Sequence, residues 1–466
     1  MSEIKEACGV IGIFNNDNLN LAKELYYGIF ALHHRGQESC GMAVCNNGVV
    51  KDHKGMGLVN EIFNDAKIAE LQGQIGIGHC RYAPMANCDL RSAEPMTMNF
   101  VKGTLSIAHN GNIVNADELR DKLMEEQGAI FHTNTDSETL AYLIAKKEVE
   151  THLLEVAIRQ ATDMVSGAYA FLVMSPKKLV GIRDPHGLKP LCLGKKGSSY
   201  ILASESCAIE SIGGEFIRDL DPGEIIVIDK NGYTSHKKEN VPAKNHPCIF
   251  EYIYFARPDS IIDGQSVYEA RYLAGSILAE RYPVEADVVM PVPDSGIDAA
   301  IGYAEASGIP YGIGFIKNRY IGRTFIKPDQ VQREEATRIK LNVLKHTVEG
   351  KRVVLVDDSM VRGTVSRSLI KMLKKAGAKE VHMRITAPPF VWPCFFGVDL
   401  PEKKQLAACR YTIEEIRQNL NADTLGFFKE EDLPRIIPHC KLNGYCDACF
   451  TGNYPVPVQL KDEDRE

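Results

Sequence analysis

A cysteine close to the amino terminus is the first residue whose surroundings could carry catalysis. Cys8 opens the apolar run Cys8–Phe14, which is typical of a strand. If Met1–Ala7 were removed, the thiol would lie beside its own free α-amine, whose pKa of about 8 suits a general base for a neighbouring nucleophile. A lone cysteine at a strand start is more often a small buried structural residue. The position alone therefore leaves both interpretations open.

Polar strings further along the chain favour the catalytic interpretation. Arg81, in the string His-Cys-Arg-Tyr, suits a substrate carboxylate at a strand end. Asn110 and Gly111, in Ala-His-Asn-Gly-Asn, could donate a side-chain and a backbone amide to an oxyanion. Asp136, before a helix, could receive a substrate amine. Each string alone is more often a turn or cap. With Cys8 and a His-Arg-Gly-Gln string at 34–37, they resemble the glutaminase domain of the N-terminal nucleophile amidotransferases.

A second group of polar residues directly follows an apolar run, in the string Val-Val-Leu-Val-Asp-Asp-Ser-Met-Val-Arg-Gly-Thr that ends at Thr364. Free N–H groups and the positive end of a helix form an anion cradle at such a strand end. Arg362, Gly363 and Thr364 would hold a monophosphate there, while Asp357 and Asp358 suit ribose hydroxyls or Mg²⁺. Paired acids at a strand end often only cap the next helix, but the whole string favours a phosphate site.

Two further segments complete a resemblance to the type I phosphoribosyltransferases. A Pro-Val-Pro-Asp-Ser-Gly string ends a strand with a polar turn, where Ser295 and Gly296 could meet the diphosphate or its metal. The basic segment Lys317–Lys340 lies between the two phosphate-site strings. A solvated loop would explain the basic segment alone, but beside a phosphate cradle it predicts a lid that closes on an anion. Arg323 and Lys327 are its expected substrate contacts, and its closure is expected to switch on the Cys8 site.

The elements that must position these residues differ between the two parts of the chain. From Cys8 to about Val241, short strand-like runs are interrupted by helical stretches at Leu21–Leu32 and Ser137–Lys147, which suggests stacked sheet and helix layers. The polar segment Val241–Pro247 predicts a linker. From about Cys248 to Phe428, strands and helices alternate as in a doubly wound parallel sheet. The expected strands are Cys8–Phe14, Ile75–His79, Leu105–His109, Ala168–Met174, Val288–Val292 and Lys351–Val356.

Bulk composition limits the classes of function. The 466 residues suggest about two to four domains. A net charge of −7 argues against a nucleic-acid binder, because phosphate backbones require a basic face. No run approaches the roughly 20 apolar residues that cross a bilayer, and the start of the chain lacks a secretion signal, so a cytoplasmic protein is expected. Thirteen cysteines then predict thiols, ligands or a nucleophile rather than disulfides.

From Cys8 to about Pro457 the chain resembles the glutamine phosphoribosylpyrophosphate amidotransferase family. The resemblance implies a propeptide at 1–7, a four-layer αββα glutaminase domain at 8–241 and a type I phosphoribosyltransferase domain at 242–466. It implies a reaction in which glutamine and phosphoribosyl diphosphate give phosphoribosylamine, glutamate and diphosphate. It also implies inhibition by purine nucleotides and a homotetramer. The implied roles are Cys8 as nucleophile, Arg81 and Asp136 as glutamine contacts, Asn110 and Gly111 as oxyanion hole, and Ser295, Asp357 and Asp358 as Mg²⁺ positions. The string at Ala83–Asn87 departs from the family's usual Ser/Thr-Ala-Gly run.

A Cys-x-x-Cys pair near the end of the chain is consistent with a metal site, a redox pair or neither. By the family likeness, one branch carries a structural [4Fe–4S] cluster whose ligands match Cys248, Cys394, Cys446 and Cys449. Cys440 is a nearby competitor, and zinc is the chemical alternative.

Three other functions were weighed against this one. The first keeps the glutaminase but gives ammonia to a different acceptor, and the second is a nucleotide-sensing regulator without transfer chemistry. The third is an iron–sulfur redox protein, which rests on four cysteines alone. The intact phosphate string and the retained glutaminase residues favour the amidotransferase.

Overall fold

Two antiparallel sheets form the N-terminal part of the chain. The computed structural model describes residues 8–15, 21–82, 89–238, 241–318 and 341–460. One sheet has the strand order β11-β9-β10-β1-β4-β2-β3 and the other β13-β12-β8-β7-β6-β5. The strands are β1 (Gly9–Phe14), β2 (Ser39–Asn46), β3 (Val49–Met56), β4 (Ile75–Arg81), β5 (Met96–Phe100), β6 (Gly103–Ile113), β7 (Gly167–Met174), β8 (Leu179–Arg183), β9 (Cys192–Lys196), β10 (Ser199–Ala203), β11 (Glu215–Asp219), β12 (Ile225–Asp229) and β13 (Gly232–His236).

Helices cover the outer face of each sheet. They are α1 (Leu21–Ala31), α2 (Val59–Ile62), α3 (Asp65–Glu70), α4 (Ala116–Gln127), α5 (Asp136–Thr151), α6 (Leu154–Thr162) and α7 (Ser206–Ser211). The period-2 alternation of β1 sends Val10 into the core between the sheets and Ile11 into the core under α1 and α7. A third core packs α4, α5 and α6 against the second sheet. The expected αββα order of layers is therefore confirmed.

A parallel sheet forms the centre of the C-terminal part, in the order β16-β19-β20-β21. Its strands and two small hairpins are β14 (Ile261–Ile262), β15 (Gln265–Ser266), β16 (Val288–Pro291), β17 (Phe315–Lys317), β18 (Leu341–Val343), β19 (Arg352–Asp357), β20 (Glu380–Ile385) and β21 (Thr424–Phe427). The helices are α8 (Val267–Arg281), α9 (Ile297–Ser307), α10 (Lys345–Val348), α11 (Thr364–Lys375), α12 (Ala407–Arg410), α13 (Ile413–Leu420), α14 (Leu433–Ile436) and α15 (Ala448–Thr451), with a π-helix at Glu251–Phe255.

The order of this sheet reverses beside β16. A parallel bridge between Val289 and Tyr311 extends the sheet on one side of β16, whereas β19 and the later strands lie on the other. The connections after β16 and β19 therefore leave in opposite directions. In doubly wound sheets a ligand crevice opens at the carboxyl ends of the strands at such a reversal. The predicted phosphate residues follow these two strands.

Several sequence expectations differ in detail from the structure. The interpretation named helices only around α1 and α5 in the N-terminal part, and α4 is among those it missed. The helix α4 is mostly polar and buries only one face, through residues such as Leu119 and Leu123. The tail was expected to be irregular from Lys429, yet it contains α14 and α15. Within the described residues, no helix is long and apolar enough to cross a membrane.

Candidate active site

One large pocket collects the predicted glutaminase residues. Cys8 precedes β1 and is half-buried, and its Sγ lies 3.7 Å from the backbone oxygen of Tyr82. The pocket encloses about 800 Å³ and is lined by side chains of both parts of the chain. The Tyr82 hydroxyl donates to Asp399 (3.0 Å), which joins the pocket to the C-terminal part. Of the predicted residues, Cys8, Arg81, Asn110, Gly111 and Asp136 all line it.

Strand pairing brings Arg81 next to the thiol. The neighbouring strands β1 and β4 pair Gly9 with Cys80, so the residues that flank this pair lie at one end of the sheet. Arg81 donates a hydrogen bond to the backbone oxygen of Ser92, and its Nη1 lies 3.8 Å from Glu94 Oε1. The guanidinium therefore lines the pocket with one backbone partner and one nearby carboxylate.

The amide of Asn110 is buried without a partner. Its side chain is fully enclosed, and neither Oδ1 nor Nδ2 has a hydrogen-bond partner among the described residues. Buried polar groups are nearly always hydrogen-bonded, so an orphaned amide that lines a pocket calls for a ligand. The next residue, Gly111, has φ +143°, and a Cβ there would lie 2.0 Å from the backbone oxygen of Ala168. Only glycine fits this position beside β7.

Asp136 provides an ionised carboxylate at the pocket wall. It is the first residue of α5, and its Oδ2 accepts a hydrogen bond from the backbone N–H of Ile113 (3.0 Å). Burial alone would raise its pKa, but the nearby His109, the Ile113 N–H and the charge of Arg81 lower it to about 2. The carboxylate is therefore negative at neutral pH and suits a substrate ammonium group.

A buried polar cluster beneath these residues was not predicted from the sequence. The carboxylate of Glu94 accepts hydrogen bonds from the His109 backbone N–H (2.6 Å) and the Ser137 hydroxyl (2.7 Å). The His79 ring donates to the backbone oxygen of His109 (2.9 Å) and lies 3.5 Å from Glu94. The two histidines neighbour predicted site residues in sequence, which was a usable signal. Nothing in the sequence around Glu94 distinguished it.

This cluster makes the Cys8 thiol more acidic. Burial raises its pKa, but a hydrogen bond with His79 and the positive charges of His79 and Arg81 outweigh that effect, so the net pKa is lowered. Since the thiolate is the nucleophilic form of cysteine, this environment favours reaction. By contrast, burial raises the pKa of Cys40, in the same sheet, to about 12.

The predicted phosphate residues meet at the crevice beside β16 and β19. Val292 N–H donates to the backbone oxygen of Val356 (2.8 Å), and a Cβ on Gly296 would lie 2.4 Å from that same oxygen. The loop that contains Ser295 therefore lies directly beside the end of β19. Asp357 and Asp358 follow at this strand end, and both are buried.

The two carboxylates form a site that lacks positive charge. Burial and the neighbouring Asp358 raise the pKa of Asp357 well above its usual value. Asp358 Oδ1 accepts a hydrogen bond from Ser359, whereas its buried Oδ2 has no partner among the described residues. Paired buried acids of this kind suit a cation or substrate hydroxyl groups.

The loop after these acids opens α11 as predicted. Gly363 has φ +76° and precedes the first helical residue, Thr364, which is exposed. Arg362 is exposed and donates to Gln405 Oε1 (2.6 Å). The helix N-terminus and Thr364 therefore face solvent close to the acid pair in sequence. Arg323, Lys327 and most of the basic segment, as well as Ala83–Asn87 and Met1–Ala7, lie outside the described residues.

Four cysteines from three distant segments line an enclosed apolar cavity. They are Cys248, Cys394, Cys446 and Cys449, together with Phe250 and Phe390 among others. Burial, followed by the other thiols of the group, raises the pKa of Cys449. The competitor Cys440 is not among the lining residues and lies near the Tyr252 hydroxyl (3.8 Å). Across the described ranges, no three His, Cys, Asp or Glu side chains converge tightly enough to hold a single metal ion.

Comparisons with known proteins place both sites in one enzyme class. Residues 81–211 match a family model described as a glutamine amidotransferase domain, and residues 260–387 match a phosphoribosyl transferase domain. An amidophosphoribosyltransferase of Archaeoglobus fulgidus is 47% identical over 452 residues, which cover 97% of this chain and 98% of the relative. That of Methanothermobacter thermautotrophicus is 44% identical over 98% of this chain and 96% of its own length.

The fold agrees with these relatives. The crystal structure of glutamine phosphoribosylpyrophosphate amidotransferase from Bacillus subtilis, complexed with ADP and GMP, superposes with a TM-score of 0.89 at 44% identity. The match covers 97% of this chain and 98% of that one. The chain therefore belongs to the amidophosphoribosyltransferases, the enzymes that hydrolyse glutamine and transfer its ammonia to phosphoribosyl diphosphate, the first committed step of purine synthesis.

Proposed function

We propose that Cys8 is the glutaminase nucleophile of this enzyme and that it acts after removal of Met1–Ala7. The observation that carries the proposal is the pocket in which a thiol of lowered pKa meets an unpartnered buried amide, that of Asn110. With the α-amine exposed, Cys8 would carry its own general base. The domain boundary near 241 is part of the same proposal.

Each pocket residue has a proposed role in glutamine hydrolysis. Arg81 binds the α-carboxylate of glutamine, and Asp136 binds the α-ammonium group. The Cys8 thiolate attacks the side-chain amide carbon, and the resulting oxyanion accepts hydrogen bonds from Asn110 Nδ2 and the Gly111 N–H. Ammonia leaves as the thioester forms, and water then releases glutamate. The orphaned amide of Asn110 supports this assignment because the oxyanion supplies its missing partner.

Removing the Asn110 amide should slow glutamine hydrolysis. We expect Asn110→Ala to lower kcat with glutamine by about 10²- to 10³-fold, because one donor to the oxyanion is lost. Steady-state glutamate release measures this effect, with Asn99→Ala on an exposed strand position as the control. An unchanged kcat for Asn110→Ala would remove this residue from the oxyanion hole.

The acid pair is proposed to hold the ribose and a magnesium ion. Mg²⁺ is bound by one or two carboxylates plus substrate phosphates, so the buried pair Asp357 and Asp358, with Ser295 alongside, fits the ion. The ion would neutralise charge on the diphosphate leaving group. Arg362, Gly363 and Thr364 would bind the 5′-phosphate at the start of α11. Ammonia then attacks the anomeric carbon as the bond to diphosphate breaks.

The cysteine cavity is proposed to hold a [4Fe–4S] cluster with a structural role. A zinc ion with bonds of about 2.3 Å would need its four sulfurs within roughly 4 Å of one another. The described residues contain no group arranged so closely, which favours a larger centre spread across the cavity. A backbone N–H donates to the Cys394 sulfur (3.3 Å), a contact that suits cluster thiolates. Such a centre would tie the tail to the core of the C-terminal part.

Loss of one cavity cysteine should remove the cluster. We expect anaerobically purified protein to contain iron and acid-labile sulfide, and Cys446→Ser to lose both and to unfold at a lower temperature, because its linked segments come apart. Cys440→Ser is the matched control and should keep its iron, since that thiol lies outside the cavity. Zinc in place of iron in the intact protein would contradict the cluster.

Regulation and assembly follow from the relatives. The Bacillus subtilis structure contains ADP and GMP, which supports the proposal that purine nucleotides inhibit this enzyme. A homotetramer and closure of the Lys317–Lys340 segment, with Arg323 and Lys327 on the substrate, are proposed from family likeness and from the basic sequence. The cytoplasmic location likewise stays a prediction.

A further inference from the structure

A fully buried arginine joins the two parts of the chain. Arg35 follows α1, and its Nη1 donates to Glu205 Oε1 (2.5 Å) in the N-terminal part. Both terminal nitrogens also bond Glu251, which begins the π-helix of the C-terminal part, at 3.0 and 2.6 Å. Burial would lower the pKa of Arg35, but Glu251 and Glu205 outweigh this and raise it. The guanidinium is therefore permanently charged and held in a planar fork.

The same guanidinium contacts the backbone of the nucleophile. Arg35 Nε donates to the carbonyl oxygen of Cys8 (3.1 Å). Because the five N–H donors of arginine are fixed in one plane, the direction of the Nε–H bond depends on how the terminal nitrogens are held. Those nitrogens are held mainly by Glu251. A carboxylate of the C-terminal part thus sets the geometry of a hydrogen bond to Cys8.

The N-terminal carboxylate in this junction is itself anchored by the C-terminal part. Glu205 Oε2 accepts hydrogen bonds from the Arg257 backbone N–H (2.9 Å) and the Ser260 hydroxyl (2.7 Å). Its Oε1 also accepts from His34 (2.7 Å). The junction is therefore satisfied only when the two parts are docked.

Glu251 is connected in turn to the diphosphate side of the second site. Arg271, on α8, donates to the backbone oxygens of Tyr252 (3.1 Å) and Ala256 (2.6 Å), which bracket the π-helix. Its Nη1 lies 3.9 Å from Asp298, in the first turn of α9. That turn directly follows the Ser295 loop. Contacts therefore run without a break from the phosphate crevice to Cys8.

We propose that Arg35 is a positioning residue for Cys8 and that Glu251 orients Arg35, so that the C-terminal part contributes a residue to the glutaminase site. This inference rests on the proposed role of Cys8. It goes beyond that role, because it makes glutamine hydrolysis depend on a side chain that touches neither glutamine nor the thiol. A displacement of Cys8 by a fraction of an ångström changes the angle of attack while leaving Arg81 and Asp136 in place. The expected signature is a lower kcat with a nearly constant KM for glutamine.

The test is Glu251→Gln in the full-length, processed enzyme. This change preserves shape and leaves Arg35 paired with Glu205, so the junction becomes neutral rather than charged. We expect kcat with glutamine to fall about 10- to 100-fold, with KM for glutamine and ammonia-dependent diphosphate release within about threefold of the parent. Arg35→Lys, which keeps the charge and loses the fork, should show the same pattern.

The chain offers a matched control in a second buried pair. Arg183, in the N-terminal part, bonds Asp263, in the C-terminal part, through two hydrogen bonds of 2.7 and 2.8 Å. No hydrogen bond of Arg183 involves Cys8: its other bonds go to the backbone oxygens of Gly187, Lys189 and Leu220. Asp263→Asn should therefore leave kcat with glutamine within about threefold of the parent.

The outcomes separate positioning from simple docking. An equal fall in Asp263→Asn, or loss of ammonia-dependent release in both Glu251→Gln and Arg35→Lys, would show a general structural role and overturn the inference. An unchanged kcat in Glu251→Gln would also overturn it. Failure of the underlying proposal looks different, because glutamine hydrolysis that survives in Cys8→Ala would reject the nucleophile whatever Glu251 does.

Discussion

Replacing Cys8 with alanine is expected to abolish glutamine-dependent diphosphate release while ammonia-dependent release continues. Loss of a covalent nucleophile should cost at least about a thousandfold in the glutamine reaction. The ammonia reaction needs only the C-terminal site, whose residues lie on a different sheet. Diphosphate release from phosphoribosyl diphosphate, measured anaerobically with glutamine and then with ammonia, separates the two reactions.

Cys40→Ala is the matched control for this experiment. Cys40 is a buried thiol in the same sheet, and burial and the charge of Glu61 raise its pKa to about 12. It should not act as a nucleophile, so both reactions should persist. Glutamine-dependent release that persisted in Cys8→Ala would assign the nucleophile elsewhere. Loss of both reactions in Cys8→Ala would mean that the residue supports the fold rather than one half of the chemistry.

Neutralising the acid pair should have the opposite pattern of effects. We expect Asp357→Asn and Asp358→Asn each to lower diphosphate release at least about 100-fold with either nitrogen source, because charge on the leaving diphosphate is no longer compensated. Hydrolysis of glutamine without phosphoribosyl diphosphate should stay close to the parent rate, since the Cys8 pocket is untouched. Parallel assays of diphosphate and glutamate measure both effects on the same preparation.

Asp287→Asn provides the control at the other end of the same sheet. Asp287 precedes β16, where its carboxylate accepts hydrogen bonds from the Arg352 backbone and side chain, with Nη2 at 3.0 Å. It therefore lies at the amino-terminal edge of the strands, opposite the crevice, and its neutralisation should spare transfer. If both crevice variants kept ammonia-dependent release, the phosphoribosyl site would have to lie elsewhere.

Local patterns explain why much of the fold could be predicted. The apolar run before Asp357 and the glycine before Thr364 specify a strand, a turn and a helix through neighbouring residues alone. Gly377, expected to end that helix, has φ +95°. The polar helix α4 was missed because only its packed face reveals it, and that face is defined by the sheet beneath.

The candidate site divides along the same line. Motif residues such as Arg81 and Asp136 carried their chemistry in short strings, and the structure brings them into one pocket. Glu94 and Glu251 carried no such signal. A buried carboxylate gains its meaning from its partners, and those partners come from strands and helices far away in the chain. Nothing in a run of neighbouring residues reports them.

The amino-acid sequence by itself determined the strands and helices, the two chemistries and the residues that perform them, because these depend on side-chain type and on spacing over a few residues. The tertiary structure alone decided which residues surround the thiol, which cysteines share a cavity and how Arg35 ties Cys8 to Glu251. Those features depend on long-range pairing of strands and on the burial of charge, and the free energy of a buried charge is set by the groups that fold around it.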